Sequence, residues 1–189
     1  MSVKTLPLIH TNIYAISRSG GTILSIFLQH CVSKTSSLRH AYHEGEFTSD
    51  RIQKQLDSKN TASVILKRHP YAIYCSMAHV TLGPRNKESG ECVININDHQ
   101  HNRILKDLRR EFDPFIEVLK NFEDIIPVLK YEDFYNNYNH VVGFLSENFD
   151  ISVDECLFDE FISKYSIEQC VSRREDKNDT INNRFIVNH

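Results

Sequence analysis

The sequence predicts an α/β protein in which a central, mainly parallel sheet is covered by helices on both faces. Short apolar strands alternate with helical patterns along the chain, which is typical of parallel strands joined by crossover helices. The first strand also runs directly into a glycine pair and a helix. With 189 residues the chain is long enough for one domain with a substantial core. We therefore expect residues 1–189 to form a single three-layer α/β/α domain.

Composition and charge argue against several classes of protein. The net charge of −3 is not that of a general nucleic-acid binder, and no apolar run approaches the ~20 residues of a membrane span. The N terminus lacks the apolar core of a secretory signal, and five cysteines without CxxC spacing predict neither a disulfide framework nor a zinc ribbon. His40 with His43 and His99 with His101 lack further ligands at a zinc spacing. We expect a cytoplasmic protein without bound metal, nucleic acid or membrane partners.

The sequence predicts three strands, a helix directly after the first strand and its loop, and five further helical segments. The first strand is predicted at residues 12–17, and the helix after it has apolar residues on two faces, so we expect it to be buried almost all round. The other strands are predicted at residues 62–66 and 125–131. Helices are predicted at 50–56, from Pro70, at 102–122 with a break or kink at Asp113-Pro114, around 141–145, and at 153–165. Residues 33–49 are predicted to be irregular, and residues 83–100 to form a surface loop or a short hairpin.

The loop between the first strand and the first helix has the chemistry of an anion site. Glycines let the backbone approach an anion closely, and the N–H groups at a helix start point toward it. Arg18 adds a permanent charge whose donor fork matches phosphate or sulfate oxygens. Ser19 and Thr22 add hydroxyls that either contact the anion or cap the helix. The Gly-Lys-Ser/Thr ending of a Walker A motif is absent, which disfavours an ATP kinase or GTPase, and a plain strand–helix turn remains the alternative.

A second arginine follows the second predicted strand. Arg68 stands at the carboxyl end of that strand, where open α/β sheets place their ligands. Pro70 suits the first turn of a helix, and Ser76 then lies about two turns in, where its hydroxyl is poorly placed to cap. Arg68 and Ser76 are therefore candidate ligand contacts, with simple surface placement as the alternative.

Five segments of the sequence, taken in their order along the chain, are also informative about function. They are IYAISRSGGTILSIFL at residues 13–28, VILKRHPYAIYCS at 64–76, VLKYEDF at 128–134, VGFLSEN at 142–148, and residues 154–173 with Tyr-Ser-Ile-Glu. Their order and spacing resemble those of the sulfotransferases that use 3′-phosphoadenosine 5′-phosphosulfate (PAPS). The first segment resembles the family's 5′-phosphosulfate loop. The second resembles its 3′-phosphate motif, a strand-end arginine with a serine eight positions later.

The resemblance implies a P-loop-NTPase-like sulfotransferase fold, with PAPS as the sulfuryl donor and no metal. Arg18 stands where many members carry lysine, and it would stabilise charge on the oxygen that leaves the sulfuryl group. Arg68 and Ser76 would select the 3′-phosphate, and Tyr131 is either near the adenine or a core tyrosine. The implied donor-binding residues are Arg18, Ser19, Gly20, Gly21, Thr22, Ile23, Arg68, Ser76 and Tyr131.

The general base of transfer is expected between the first two motifs. That interval contains His40, His43, Glu44 and Glu46. Family members with arginine in the loop tend to use a glutamate here, so we expect Glu44 to take the acceptor's proton, with His43 and Glu46 next and His40 last. The alternative is that all four are solvated loop residues.

The C terminus departs from the family pattern. Its Arg-Lys-Gly segment has no counterpart, and the nearest basic groups, Arg173, Arg174 and Arg184, do not fit that motif. We therefore expect a shortened member of the fold. A nucleotide-binding module with little or no activity and another P-loop phosphoryl-transfer enzyme remain alternatives. The acceptor class stays open among sugars, phenols, peptidyl tyrosine, small alcohols and amines.

Overall fold

Four strands and seven helices occur in the residues that the computed structural model describes, which are 10–32, 35–40, 48–58, 61–82, 96–135 and 137–165. In chain order they are β1 His10–Ala15, α1 Gly21–Cys31, β2 Thr35–His40, α2 Ser49–Leu56, β3 Thr61–Lys67, α3 Pro70–Leu82, α4 Asp98–Phe122, β4 Val128–Lys130, α5 Tyr131–Phe134, α6 Tyr138–Phe149 and α7 Glu155–Tyr165. No helix among these residues is both long and apolar enough to span a membrane.

The four strands form one parallel sheet in the order β2-β1-β3-β4. β1 pairs with a strand on each side, so that Ala15 lies opposite His40 of β2 and Leu66 of β3. The carboxyl ends of parallel strands meet at the same edge of a sheet. The segments that follow β1 and β3 are therefore neighbours at that edge.

Alternate side chains of the strands pack into two cores, one on each face of the sheet. Ile13 and Ala15 join an α1-side core with buried residues of α1, α5, α6 and α7. Tyr14 and Ile65 join an α4-side core with buried residues of α2, α3 and α4. Burial on both faces explains why β1 and β3 are nearly continuous apolar runs. The predicted parallel α/β architecture with helices on both faces is confirmed.

Residues 35–40 form β2, so the prediction that residues 33–49 are irregular was wrong at this strand. β2 carries three hydroxyl residues in a row and lies at an edge of the described sheet. Its Ser36 hydroxyl meets the Ser25 hydroxyl at 2.5 Å and accepts from the Gln29 amide at 2.8 Å, and both partners belong to α1. Polar contacts with a helix therefore replace the apolar alternation that identifies a strand in sequence.

Helix α4 begins earlier than predicted and is not broken at Pro114. Asn97 starts it through a capping box, in which the Asn97 side chain accepts from the Gln100 N–H at 2.9 Å and the Gln100 side chain accepts from the Asn97 N–H at 3.2 Å. The proline removes one backbone hydrogen bond from the helix interior. Buried residues on both sides of it, such as Leu108 and Val118, keep the helix against the sheet.

The third predicted strand, residues 125–131, is shorter in the structure. Ile125 and Ile126 donate their backbone N–H groups to the Phe122 carbonyl at 3.0 and 2.7 Å, so they belong to the turn that ends α4. Strand β4 covers only Val128–Lys130, and Tyr131 begins α5. Apolar character alone did not separate a helix end from a strand. The remaining predicted strands and helices are confirmed within a few residues.

Candidate anion-binding site

Two loops meet at the carboxyl edge of the sheet, one after β1 and one after β3. The Arg68 Nη1 donates to the backbone carbonyl of Arg18 at 2.7 Å. The Arg18 Nε donates to the hydroxyl of Ser76 in α3 at 3.4 Å. Three residues that the sequence singled out at separate positions therefore lie together at one site.

The loop after β1 is a tight turn with two residues in left-handed backbone conformation. Arg18 has φ 69° and Gly20 has φ 86°. Between them, the buried Ser19 donates both its N–H and its hydroxyl to the Ile16 carbonyl, at 3.2 and 2.6 Å. The Ser19 hydroxyl proton is thus used to shape the loop.

The amino end of α1 opens directly onto this loop. Gly20 is the N-cap residue, and no described side chain accepts a cap hydrogen bond there, so the prediction that Ser19 or Thr22 could cap the helix is not met. Gly21 is buried, Ile23 is half-buried and Thr22 is exposed. The first-turn N–H groups of a helix carry its positive end, which favours an anion.

Tyr131 lies under the second arginine and against the glycine of the loop. The Arg68 guanidinium carbon is 4.3 Å from the centre of the Tyr131 ring, a cation–π contact. A Cβ on Gly20 would lie 2.2 Å from the Tyr131 Cδ2, so the ring leaves room only for glycine. Tyr131 is 5% exposed and belongs to the α1-side core, and burial raises its pKa. It supports both Arg68 and the loop.

No acidic side chain among the described residues balances the charges at the site. Arg18 and Arg68 face each other, and neither forms an ion pair with another described residue. The Arg18 Nη2 and the Arg68 Nε are buried and have no hydrogen-bond partner in the described part of the chain. Burial, and then the charge of Arg68, lower the pKa of Arg18. Two adjacent guanidinium groups with donors to spare are suited to bind an anion with several oxygens.

Glu111 of α4 is a part of the site that sequence reasoning missed. It is 5% exposed, and its Oε2 accepts from the Ser17 backbone N–H at 2.6 Å. Burial raises the pKa of Glu111, and hydrogen bonds from Ser17 act in the opposite direction. A signal was present, because Glu111 lies at helical spacing between the apolar Leu108 and Phe115. A glutamate in the buried stripe of an amphipathic helix needs a polar partner.

The predicted base lies outside the described residues. Glu44, His43 and Glu46 fall in the segment 41–47, and nothing is described of the His40 side chain, although its backbone ends β2. The C-terminal arginines singled out above also lie outside the described residues. The site as described contains the predicted anion-binding groups and one buried carboxylate.

Comparisons with known proteins do not assign the chain to a family. No protein-family model matches the chain, and no curated protein is significantly similar to it. The function therefore has to be inferred from the residues that form the site.

Proposed function

We propose that this protein binds PAPS where the loops after β1 and β3 meet, and transfers its sulfuryl group to an acceptor hydroxyl or amine. The observation that carries the proposal is the pair Arg18 and Arg68, which are adjacent, partly buried and without an acidic partner in the described residues. Removing charges from water is costly, so such a pair is stabilised by a ligand of opposite charge.

The donor's two anionic groups match two parts of the site. Its 5′-phosphosulfate would meet Arg18 and the first-turn N–H groups of α1, which no described side chain caps. Its 3′-phosphate would meet Arg68 and the Ser76 hydroxyl. As the sulfuryl group leaves, charge grows on the oxygen of the departing phosphate, and Arg18 would stabilise it more than the ground state.

Nucleotide selectivity tests the binding half of the proposal. Isothermal titration should give tighter binding of adenosine 3′,5′-bisphosphate than of adenosine 5′-monophosphate by about 10- to 100-fold, since a charged hydrogen bond contributes about 1.5–3 kcal/mol. Arg68→Ala and Ser76→Ala should remove that preference. Lys67→Ala is the matched control, because Lys67 pairs with Glu123 at 3.0 Å. Equal weakening of both nucleotides in Arg68→Ala would contradict the 3′-phosphate assignment, and tighter binding of ATP would favour phosphoryl transfer.

Transfer itself is measured with sulfur-labelled PAPS and a panel of acceptors. The panel covers a sugar, a phenol, a tyrosine peptide, a small alcohol and an amine. We expect labelled product with at least one class. Nucleotide binding without any transfer would instead identify a binding module.

A further inference from the structure

We propose a second ligand site, for a phosphorylated or carboxylated sugar or polyol, between α2 and the amino half of the sheet. A cavity of about 510 Å³ lies there, with His10 of β1 and Thr61 of β3 in its lining. Small-molecule sites in proteins typically measure about 300–1,000 Å³. The proposal does not depend on the function of the arginine pair, which follows the opposite ends of the same strands.

The floor of the cavity is polar where a covered sheet is normally apolar. Asn12 lines the cavity, and it lies opposite Ser37 of β2 and Ser63 of β3, which places three polar residues side by side across the sheet. Helix-covered parallel sheets usually present apolar residues at such positions. Core packing therefore does not explain the polar row of Asn12, Ser37 and Ser63.

Two of these residues lack partners. Asn12 is 2% exposed and Ser63 is 5% exposed, and neither the Asn12 Oδ1 nor the Ser63 hydroxyl has a hydrogen-bond partner in the described part of the chain. Buried polar atoms in folded proteins are nearly always paired. A hydroxyl-bearing ligand would supply the donor that the Asn12 oxygen needs.

The rest of the described lining is cationic or neutral. Arg39 of β2 and Arg51 and Lys54 of α2 line the cavity, and none of its described lining residues is acidic. Arg39 and Arg51 have other contacts, so Lys54 is the cation left to bind a phosphate or a carboxylate of a ligand.

The lining of the cavity also includes the amide side chain of Gln55, whose orientation is fixed. The Tyr14 hydroxyl donates to the Gln55 Oε1, which fixes the orientation of that side chain. The Gln55 amide is then oriented as a donor, while the Asn12 oxygen is an acceptor. Donors, an acceptor and cations in one cavity match an anionic polyol better than a bare inorganic anion, which cannot donate.

Site-resolved amide shifts in the full chain test the proposal. Glucose 6-phosphate, glucuronate and uncharged glucose are titrated separately, and the amides of Asn12, Lys54 and Thr61 report on the cavity. Those of Gly20 and Gly21 report on the arginine pair. We expect saturable shifts at the cavity with both anions, and binding of glucose at least 10-fold weaker. No saturable shift with either anion, or shifts confined to Gly20 and Gly21, would overturn the proposal.

Two variants make the result specific. Lys54→Gln should weaken glucose 6-phosphate at least 10-fold, whereas Lys120→Gln, at an exposed lysine of α4, should leave it unchanged. Asn12→Ala should also weaken it without lowering the melting temperature, since it removes a buried oxygen that has no partner. Unchanged affinity in Lys54→Gln would overturn the proposal, and Arg18→Ala should have no effect at this cavity.

Discussion

Arg18 has a left-handed backbone, a partly buried guanidinium and a second arginine as its neighbour. A left-handed conformation costs a non-glycine residue about 1 kcal/mol or more. Glycine would avoid that cost and would also remove the repulsion from Arg68. The stability of the fold therefore does not explain an arginine at this position, which agrees with the proposed role of its side chain in binding an anion.

Arg18→Ala separates binding chemistry from stability. We expect turnover with PAPS to fall by about 10²–10³-fold, the usual effect of removing one group that stabilises charge in a transition state. The free energy of unfolding should not fall, because no ion pair within the described residues is lost. Labelled-sulfate kinetics and urea denaturation measure the two effects, with Arg109→Ala, at an exposed arginine of α4, as control. Near-normal turnover would remove Arg18 from the mechanism.

Glu111 gives a second prediction, on pH dependence. Because burial raises its pKa, the folded state holds this proton to higher pH than the unfolded chain does. The favourable contribution of Glu111 to the free energy of unfolding is therefore complete below the ordinary glutamate pKa. It declines as pH rises through the raised pKa of the folded state. Glu111→Gln should flatten that decline while still accepting from the Ser17 N–H.

Glu111→Ala should instead cost about 1–3 kcal/mol below the ordinary glutamate pKa, because the Ser17 N–H loses its acceptor, and less above the raised folded value. Urea denaturation of all three proteins between about pH 4 and pH 8 gives the comparison. If the glutamine variant keeps the wild-type slope, the titrating group is another residue.

The residues of the site were predictable to different degrees. Arg18 and Arg68 were found because each follows a strand, and parallel strands bring such positions together. The place of Glu111 in the buried stripe of α4 was a signal, but the stripe does not show which group the carboxylate meets. Its partner is a backbone N–H 94 positions away in the sequence, and a contact of this kind leaves no pattern of residue types.

At the scale of elements, the junction of β1 and α1 depends on Gly20 and on the tyrosine ring beside it. Gly20→Ala places a Cβ 2.2 Å from the Tyr131 ring at a φ of 86°. We expect it to lower the free energy of unfolding by about 2 kcal/mol or more, since strain and overlap add. Gly143→Ala is the matched control, because a Cβ built there meets no described atom within 4 Å apart from its chain neighbours and the backbone of its own helix.

Gly143 lies inside α6, where alanine should stabilise the helix by about 0.5–1 kcal/mol. The melting temperature and the urea midpoint should therefore fall in Gly20→Ala and rise in Gly143→Ala. Shifts of the same sign would mean that the glycine at position 20 is not required by its surroundings.

The start of α4 is a separate element-scale prediction. Asn97→Ala removes the side-chain oxygen that accepts from the Gln100 N–H. Loss of such a cap typically costs about 1 kcal/mol. His99→Ala, an exposed change in the same turn, should cost less than half as much in urea denaturation. An equal effect would mean that the capping box does not stabilise the helix.

Elements that show helical apolar spacing or a continuous apolar run were predictable from the sequence, and the others were not. Helices α2, α3, α6 and α7 were found in this way, and so were strands β1 and β3, which are buried on both faces. Strand β2 was missed because serines that bond to α1 occupy it. The start of α4 was missed because a capping box of Asn97 and Gln100 resembles a polar loop in sequence.

At the scale of the whole molecule, ligand binding and folding are linked. Adenosine 3′,5′-bisphosphate at 100 times its dissociation constant should stabilise the folded state by about 2.7 kcal/mol. For a protein of this size each kcal/mol corresponds to about 2–4 °C, so the melting temperature should rise by roughly 5–10 °C. The double variant Arg18→Ala with Arg68→Ala should show no rise. An unchanged rise in that variant would place the nucleotide elsewhere.

The central position of β1 has a consequence for hydrogen exchange. Residues His10–Ala15 pair with β2 on one side and β3 on the other, and Ile13, Tyr14 and Ala15 are fully buried. Their amide protons are therefore expected to exchange only when the whole sheet opens, while those of β2 and β4, at the edges of the described sheet, exchange through smaller openings. The loop that carries Arg18 is thus attached to a strand that we expect to exchange slowly. Local opening at either edge of the sheet leaves the loop's position intact.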